Sequence, residues 1–252
     1  MSSFDLGGRV ALVTGASSGL GEAVARALAE AGARVAVAAR RYERLEALAE
    51  EIDGIALACD LLDPEQVDGL VGRVAEAIDK GPEILVNVAG AIAEVQPAEG
   101  ESLDLITRTL NLNLVAPFRL CQQAFPHMVS AGRGSIVHVS SISGRVGIPG
   151  IPQASYAASK TGLSGLTAEL AVQWAKHRIR VNTVAPGFFR SEITAGSLYD
   201  DERGSAWLRR NTPLPDEATA DDVVGGILWL AGDAARYVTG QTIVIDGGWT
   251  AR

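Results

Sequence analysis

Tyr156 and Lys160 stand four residues apart in the stretch YAASK, inside a run of small residues that reads as a helix. On a helix that spacing puts both side chains on one face, with Cβ atoms about 5–6 Å apart. A phenol titrates near a pH of about 10 and is a poor base at neutral pH. A neighbouring ammonium favours the phenolate and pulls its pKa toward working pH. The two residues are therefore either a proton-transfer device or a packed tyrosine beside a solvated lysine. The pair alone does not choose.

A second constellation lies near the start of the chain. TGASSGLGEA carries glycines at Gly15, Gly19 and Gly21, between an apolar β-branched run and a helical one. Residues without a Cβ let backbone approach a pyrophosphate, whose charge meets the N-terminus of the following helix. A plain glycine-rich turn is the other reading, and the strand-turn-helix setting favours the dinucleotide. At the end of the next strand, VAVAARRYERLE places Ala39 where a carboxylate would bond ribose hydroxyls, and follows it with Arg40 and Arg41. Helix N-termini disfavour cations, so two arginines there need another reason. A guanidinium fork matches a phosphate dianion, and this points to NADP(H) over NAD(H), with NAD(H) as the alternative.

The elements that must position these residues are legible along the whole chain. Short β-branched runs (RVALVTG, ARVAVAAR, GIALACD, EILVNVAG, GSIVHVSS, IRVNTVAPG, TIVID) alternate with longer amphipathic ones. Asp63 and Pro64 read as an N-cap and first helical residue. One long helix is expected from about Ser102 to Ser130, and a looser segment from Phe188 to Pro215. Strict alternation implies crossover connections, and so an α/β fold: a doubly wound, mostly parallel sheet with helices on both faces. No linker or repeat divides the 252 residues, so one domain is expected throughout.

Composition narrows the function classes. A hydrophobic share of 47% gives a full core, and a net charge of −8 without a basic stripe argues against nucleic acid or a membrane surface. No signal-peptide pattern opens the chain and no apolar run reaches a bilayer span, so a cytoplasmic protein is expected. Cys59 and Cys121 show no paired spacing, and His127, His138 and His177 show no metal-ligand spacing; no metal is expected.

The G-x-x-x-G-x-G spacing, Asp60 after the third strand, NVAG at Asn87–Gly90, Asn113 in LNLNLVAPF, VSSISG, YAASK, PGFFRSEIT and the closing DGGWT occur in this order over nearly the whole chain. Together they resemble the short-chain dehydrogenase/reductase superfamily, in its compact Rossmann-type branch. The resemblance implies catalysis by Asn113, Ser141, Tyr156 and Lys160, with Ser140 and Ser143 as structural neighbours. It implies cofactor contacts from Gly15, Ser17, Ser18, Gly19, Leu20 and Gly21 in the first turn, and from Arg40 and Arg41 after the second strand. Further contacts follow from Asp60, Leu61, Asn87, Ala89 and Gly90, from Tyr156 and Lys160, and from Pro186, Gly187 and Ser191. Val88 departs from the family's N-N-A-G, and Ser191 stands where threonine is common.

By resemblance the activity is hydride transfer between the nicotinamide of NADP(H) and a carbonyl or secondary alcohol, with oxoacyl thioesters and sugar acids as nearest substrates. A non-catalytic nucleotide sensor is the rival, and the presence of all four catalytic residues weighs against it. Residues 188–215 would cover the substrate, with Leu198, Tyr199, Trp207 and Leu208 as pocket candidates. Gly162 and Gly165 suggest a close helix approach, and the family implies a homotetramer or dimer.

Overall fold

The computed structural model describes residues 4–91, 94–191, 194 and 198–251. Its strands are β1 (Val10–Thr14), β2 (Arg34–Ala39), β3 (Ile55–Ala58), β4 (Ile84–Asn87), β5 (Gly134–Val139), β6 (Ile179–Pro186) and β7 (Thr242–Ile245). They form a seven-stranded sheet in the order β3-β2-β1-β4-β5-β6-β7, and every pairing is parallel. The chain reverses direction across the sheet between β1 and β4. In such sheets the crevice outside the carboxyl ends of the strands at this point is where ligands bind.

The alternation of side chains sorts each strand between two cores. Ala11, Val13, Val35, Val37 and Val86 pack on one face against α1 (Gly19–Glu30), α2 (Tyr42–Glu51) and α8 (Ala220–Ala231). Val10, Leu12, Ala36, Leu85 and Ile136 pack on the other against α3 (Pro64–Ile78), α5 (Ala116–Ala131) and the far end of α6 (Ala154–Trp174). Both faces are covered, which is why the strands read as nearly continuous apolar runs. No described helix is long and apolar enough to cross a membrane.

Local signals behave as the sequence suggests. The Asp63 carboxylate accepts from the Glu65 and Gln66 N–H groups, with Pro64 at the first turn of α3. Two expectations change. The long helix after Ser102 is α4 (Leu103–Leu110), a π-helical turn at Asn111–Val115, and then α5. The extra residue in that turn widens the helix and carries Asn113 into full burial. Within the segment 188–215, α7 (Glu202–Asn211) forms, its start capped by Asp201 accepting from the Gly204 N–H. Glu192, Ile193, Ala195, Gly196 and Ser197 of that segment lie outside the described residues. The close approach expected at Gly162 is with this chain's own Leu114, since a Cβ there would come within 2.8 Å of its side chain, whereas Gly165 faces open space.

Candidate active site

The glycine-rich turn joins β1 to α1. Gly15 has φ +71, and a Cβ on it would come within 2.7 Å of the Ala89 Cα after β4. Gly19, at φ +56, faces open space, so its conformation rather than crowding demands glycine. The turn thus presents bare backbone at the start of α1, a fit for a pyrophosphate. From across the crevice Arg41 closes over it. Its Nε donates to Ser17 Oγ at 3.1 Å and its Nη2 to Ser18 Oγ at 2.6 Å. The guanidinium thus reaches the glycine turn, and Arg40 beside it is exposed as well. With Ala39 at the end of β2, that strand end offers a cation and no carboxylate of its own. Asp60 follows β3, and one of its oxygens accepts from the Leu62 N–H at 3.0 Å. Leu61 is buried beside it.

At the centre of the crevice, α6 brings Tyr156 and Lys160 beside the end of β5. Lys160 is only 3% exposed. Its ammonium donates to the Val139 carbonyl at 2.8 Å and lies 5.6 Å from the centre of the Tyr156 ring. Gly90 makes room for it, because a Cβ there would come within 2.8 Å of Lys160 Nζ and 3.2 Å of Asn113 Oδ1. Burial lowers the Lys160 pKa to about 8. Burial also raises that of Tyr156 to about 12, with a hydrogen bond from Ser141 pulling the other way. The expected lowering of the phenol by its lysine is not seen: desolvation dominates, and only Ser141 opposes it. The ammonium sits over the ring and spends a hydrogen bond on a backbone carbonyl, so it does not hold the phenolic oxygen directly.

Ser141 follows β5 as the cap of a short turn and accepts from the Ser143 N–H at 3.1 Å. Ser140 is a structural neighbour, its hydroxyl donating to the Lys160 carbonyl. Asn113 bonds Ala91 in both directions at 3.1 Å and donates to Ser159 Oγ at 3.0 Å. It ties the segment after β4 to α6 and makes no hydrogen bond to Lys160 among the described residues. Asn87 turns its side chain into the sheet, toward His138 Nδ1 at 3.2 Å and Cys121. Those contacts use the amide nitrogen alone, and Oδ1 is buried without a hydrogen-bond partner among the described residues.

Pro186 ends β6, and Gly187 passes so close to Asp246 that a Cβ would come within 2.7 Å of its Cα. Ser191 pairs its hydroxyl with Thr194 Oγ1 at 3.1 Å, a partner that no sequence motif flags. The apolar wall is also larger than the sequence shows. Phe188, Trp207 and Trp249 meet with ring centres 4.9–5.5 Å apart, joined by Ile142, Ile148 and Leu208. Trp249 comes from the end of the chain. Asp246 folds the DGGWT turn by accepting from the Gly248 and Thr250 N–H groups, each at 2.8 Å.

The family model described as Enoyl-(Acyl carrier protein) reductase matches residues 15–250. The chain is also 38% identical to D-threitol dehydrogenase of Mycolicibacterium smegmatis, over 99% of this chain and 95% of that protein. The chain belongs to the short-chain dehydrogenase/reductase family. As a member it is an oxidoreductase acting on CH–OH donors with NAD(P). The 3-oxoacyl-[acyl-carrier-protein] reductase of Rickettsia conorii is 36% identical, over 97% of this chain and 98% of that one. A gluconate 5-dehydrogenase from Burkholderia cenocepacia, solved in complex with NADP and tartrate, superposes with a TM-score of 0.92 at 32% identity. That match covers 99% of this chain and 98% of the other.

Proposed function

We propose that this short-chain dehydrogenase/reductase is an NADP(H)-dependent carbonyl reductase or alcohol dehydrogenase in which Tyr156 is the acid and base. The observation that carries the reading is the convergence of Tyr156, Ser141 and a buried Lys160, which has no carboxylate partner among the described residues, at one point of the crevice. When bound, the nicotinamide supplies or accepts the hydride. In reduction Tyr156 is the proton donor, and a pKa near 12 keeps it protonated throughout the neutral range. Ser141 directs a hydroxyl at the same substrate oxygen, so two donors stabilise the charge that grows there. Lys160 keeps a positive charge beside the phenol, which in the oxidation direction offsets the cost of forming a phenolate. Asn113 holds the Ala91 segment against α6 and so keeps the lysine pocket closed.

Arg41 over Ser17 and Ser18, with Ala39 nearby, supports NADP(H) over NAD(H). The NADP in the gluconate dehydrogenase structure agrees with that choice. The polyol, sugar-acid and oxoacyl names among the relatives support a small secondary alcohol or its ketone as substrate.

The test is oxidation of NADPH and, separately, NADH against oxoacyl thioesters, keto sugar acids, cyclic ketones and diketones. NADPH-dependent turnover that Tyr156→Phe reduces by about 10³-fold or more, with cofactor binding retained, is the expected result. Turnover unchanged by that substitution overturns the assigned chemistry. Cofactor binding with no turnover of any carbonyl favours a nucleotide sensor.

A further inference from the structure

Tyr156 is the third residue of α6, and so lies in the least secure part of that helix. The first N–H groups of a helix have no partner within it, and helix ends fray. Gln153, at the N-cap position, makes no capping bond with its side chain, and glutamine is not among the residue types that cap well. The cap comes from elsewhere. Glu101, 54 residues before Ser155 in the chain, accepts from the Ser155 N–H with both carboxylate oxygens, at 3.1 and 3.3 Å.

The backbone of Glu101 is fixed on both sides. Its N–H donates to the Ala98 carbonyl at 3.2 Å, closing the short turn Ala98–Gly100. Ser102, next to it, caps α4 by accepting from the Leu105 N–H at 3.2 Å. The carboxylate also stands at the positive end of α6, where an anion is stabilised. Beyond Tyr156 a second tie is made. Ser159 Oγ donates to the Tyr156 carbonyl at 2.7 Å and accepts from Asn113, which bonds Ala91. Ala91 and Glu101 both belong to the connection between β4 and α4, so that connection grips the first turn of α6 on each side of the tyrosine. Lys160, one turn further in, is held separately by the Val139 carbonyl.

We propose that Glu101 is a positioning residue for the proton donor: its carboxylate caps α6 and fixes the turn that carries Tyr156. This rests on the reading of Tyr156 as acid and base above. The helix is 21 residues long and its far end packs on the sheet, so one cap does not decide whether it forms. What the cap decides is whether the first turn is still. Loss of Glu101 loosens the phenol and leaves the lysine in place.

The experiment measures steady-state kinetics with NADPH and the fastest carbonyl of the panel above, for the wild type, Glu101→Leu, Glu101→Gln and Glu101→Asp. Amide hydrogen exchange along α6 is followed in parallel. Glu101→Leu is expected to lower kcat by about tenfold with the Kd for NADPH unchanged within about twofold, because small misplacement of a reacting group is costly. Glu101→Gln keeps an acceptor at the same reach and restores most of kcat. Glu101→Asp keeps the charge, falls one methylene short and behaves like the leucine variant. Exchange in the first turn rises about tenfold in Glu101→Leu while the later turns stay protected. Wild-type kcat in Glu101→Leu, a glutamine variant as slow as the leucine one, or an equal loss of kcat and NADPH affinity overturns the proposal. The contrast between glutamine and aspartate decides if the leucine variant does not fold. Absence of turnover in the wild type sinks the reductase reading, whereas first-turn exchange unchanged by the substitution sinks the Glu101 proposal, so the two failures are separable.

Discussion

The two ends of the sheet bury charge in opposite ways. At the amino ends of the strands, Glu83 is 1% exposed and Arg9 4%. Glu83 pairs with Lys80, with Arg133 Nε at 2.5 Å and with Arg9 Nε at 3.7 Å. Arg9 and Arg180 also donate to the Ala231 carbonyl, and Arg180 to Gly232, at the C-terminal end of α8. Helix C-termini favour cations there. At the carboxyl ends, Lys160 is as deeply buried, but its hydrogen-bond partner is a single backbone carbonyl and no carboxylate pairs with it among the described residues. Compensated charges at one end hold the fold together. The uncompensated charge at the other end is a cost to the fold that a reacting oxygen and a phenol can use.

The largest effect expected from breaking this contrast is at the compensated end. Glu83→Gln leaves the buried Arg9 with only the exposed Asp233 carboxylate, and removing one partner of a buried pair costs about 3–5 kcal/mol. For a chain of this size that lowers Tm by roughly 10 °C. Burial pushes the Glu83 carboxyl up, but Lys80 and Arg133 outweigh it and hold it below the ordinary range. A depressed carboxyl stabilises above its unfolded pKa, and that contribution is lost as pH falls through the folded value. Thermal melts should therefore show the wild type weakening at acid pH and Glu83→Gln weakening less. Equal acid sensitivity would remove Glu83 from the argument.

Lys160→Met should move stability the other way. The folded pKa of about 8 lies below the ordinary value of 10.5, so the unfolded chain holds more protons between those values. The cost of the buried charge is fully present below pH 8 and is relieved as pH rises through that window. It is on the order of 3 kcal/mol, offset in part by the lost bond to Val139. Lys160→Met should melt several degrees higher at pH 7 while losing turnover, and its Tm should not climb between pH 8 and 10 as the wild type's does. A lower Tm would mean that the Val139 contact outweighs desolvation.

Legibility in the sequence differs between these ends for a physical reason. The active-site pair, the glycine turn and Arg41 are local patterns, readable because one helix or one turn fixes their geometry. The Glu83 cluster draws on residues from Arg9 to Asp233, and only the register of the parallel strands brings them together. The same holds for Trp249 against Phe188, which depends on the Asp246 turn at the end of the chain. Glu101 is equally silent, because only the fold brings it to Ser155, 54 residues later in the chain. The π turn at Asn113 is invisible to periodicity, since one inserted residue shifts the helical phase without breaking the apolar pattern.

Arg41→Ala gives the smallest effect and sharpens the comparison most. Charges at the amino ends should change Tm, and those lining the crevice should change ligand affinity. Loss of a charge-assisted fork on a phosphate is worth about 1.5–3 kcal/mol, or tenfold and more in the Kd for NADPH. NADH has no 2′-phosphate and should weaken by no more than a few-fold, with Tm unchanged because Arg41 is exposed. Arg40→Ala should do less to either, as no fork from it reaches the glycine turn among the described residues. Arg41 also donates to Ser17 and Ser18, so it could instead act as a brace for the turn that both cofactors share. Equal weakening of NADPH and NADH would select the brace, and a selective loss of NADPH selects the phosphate.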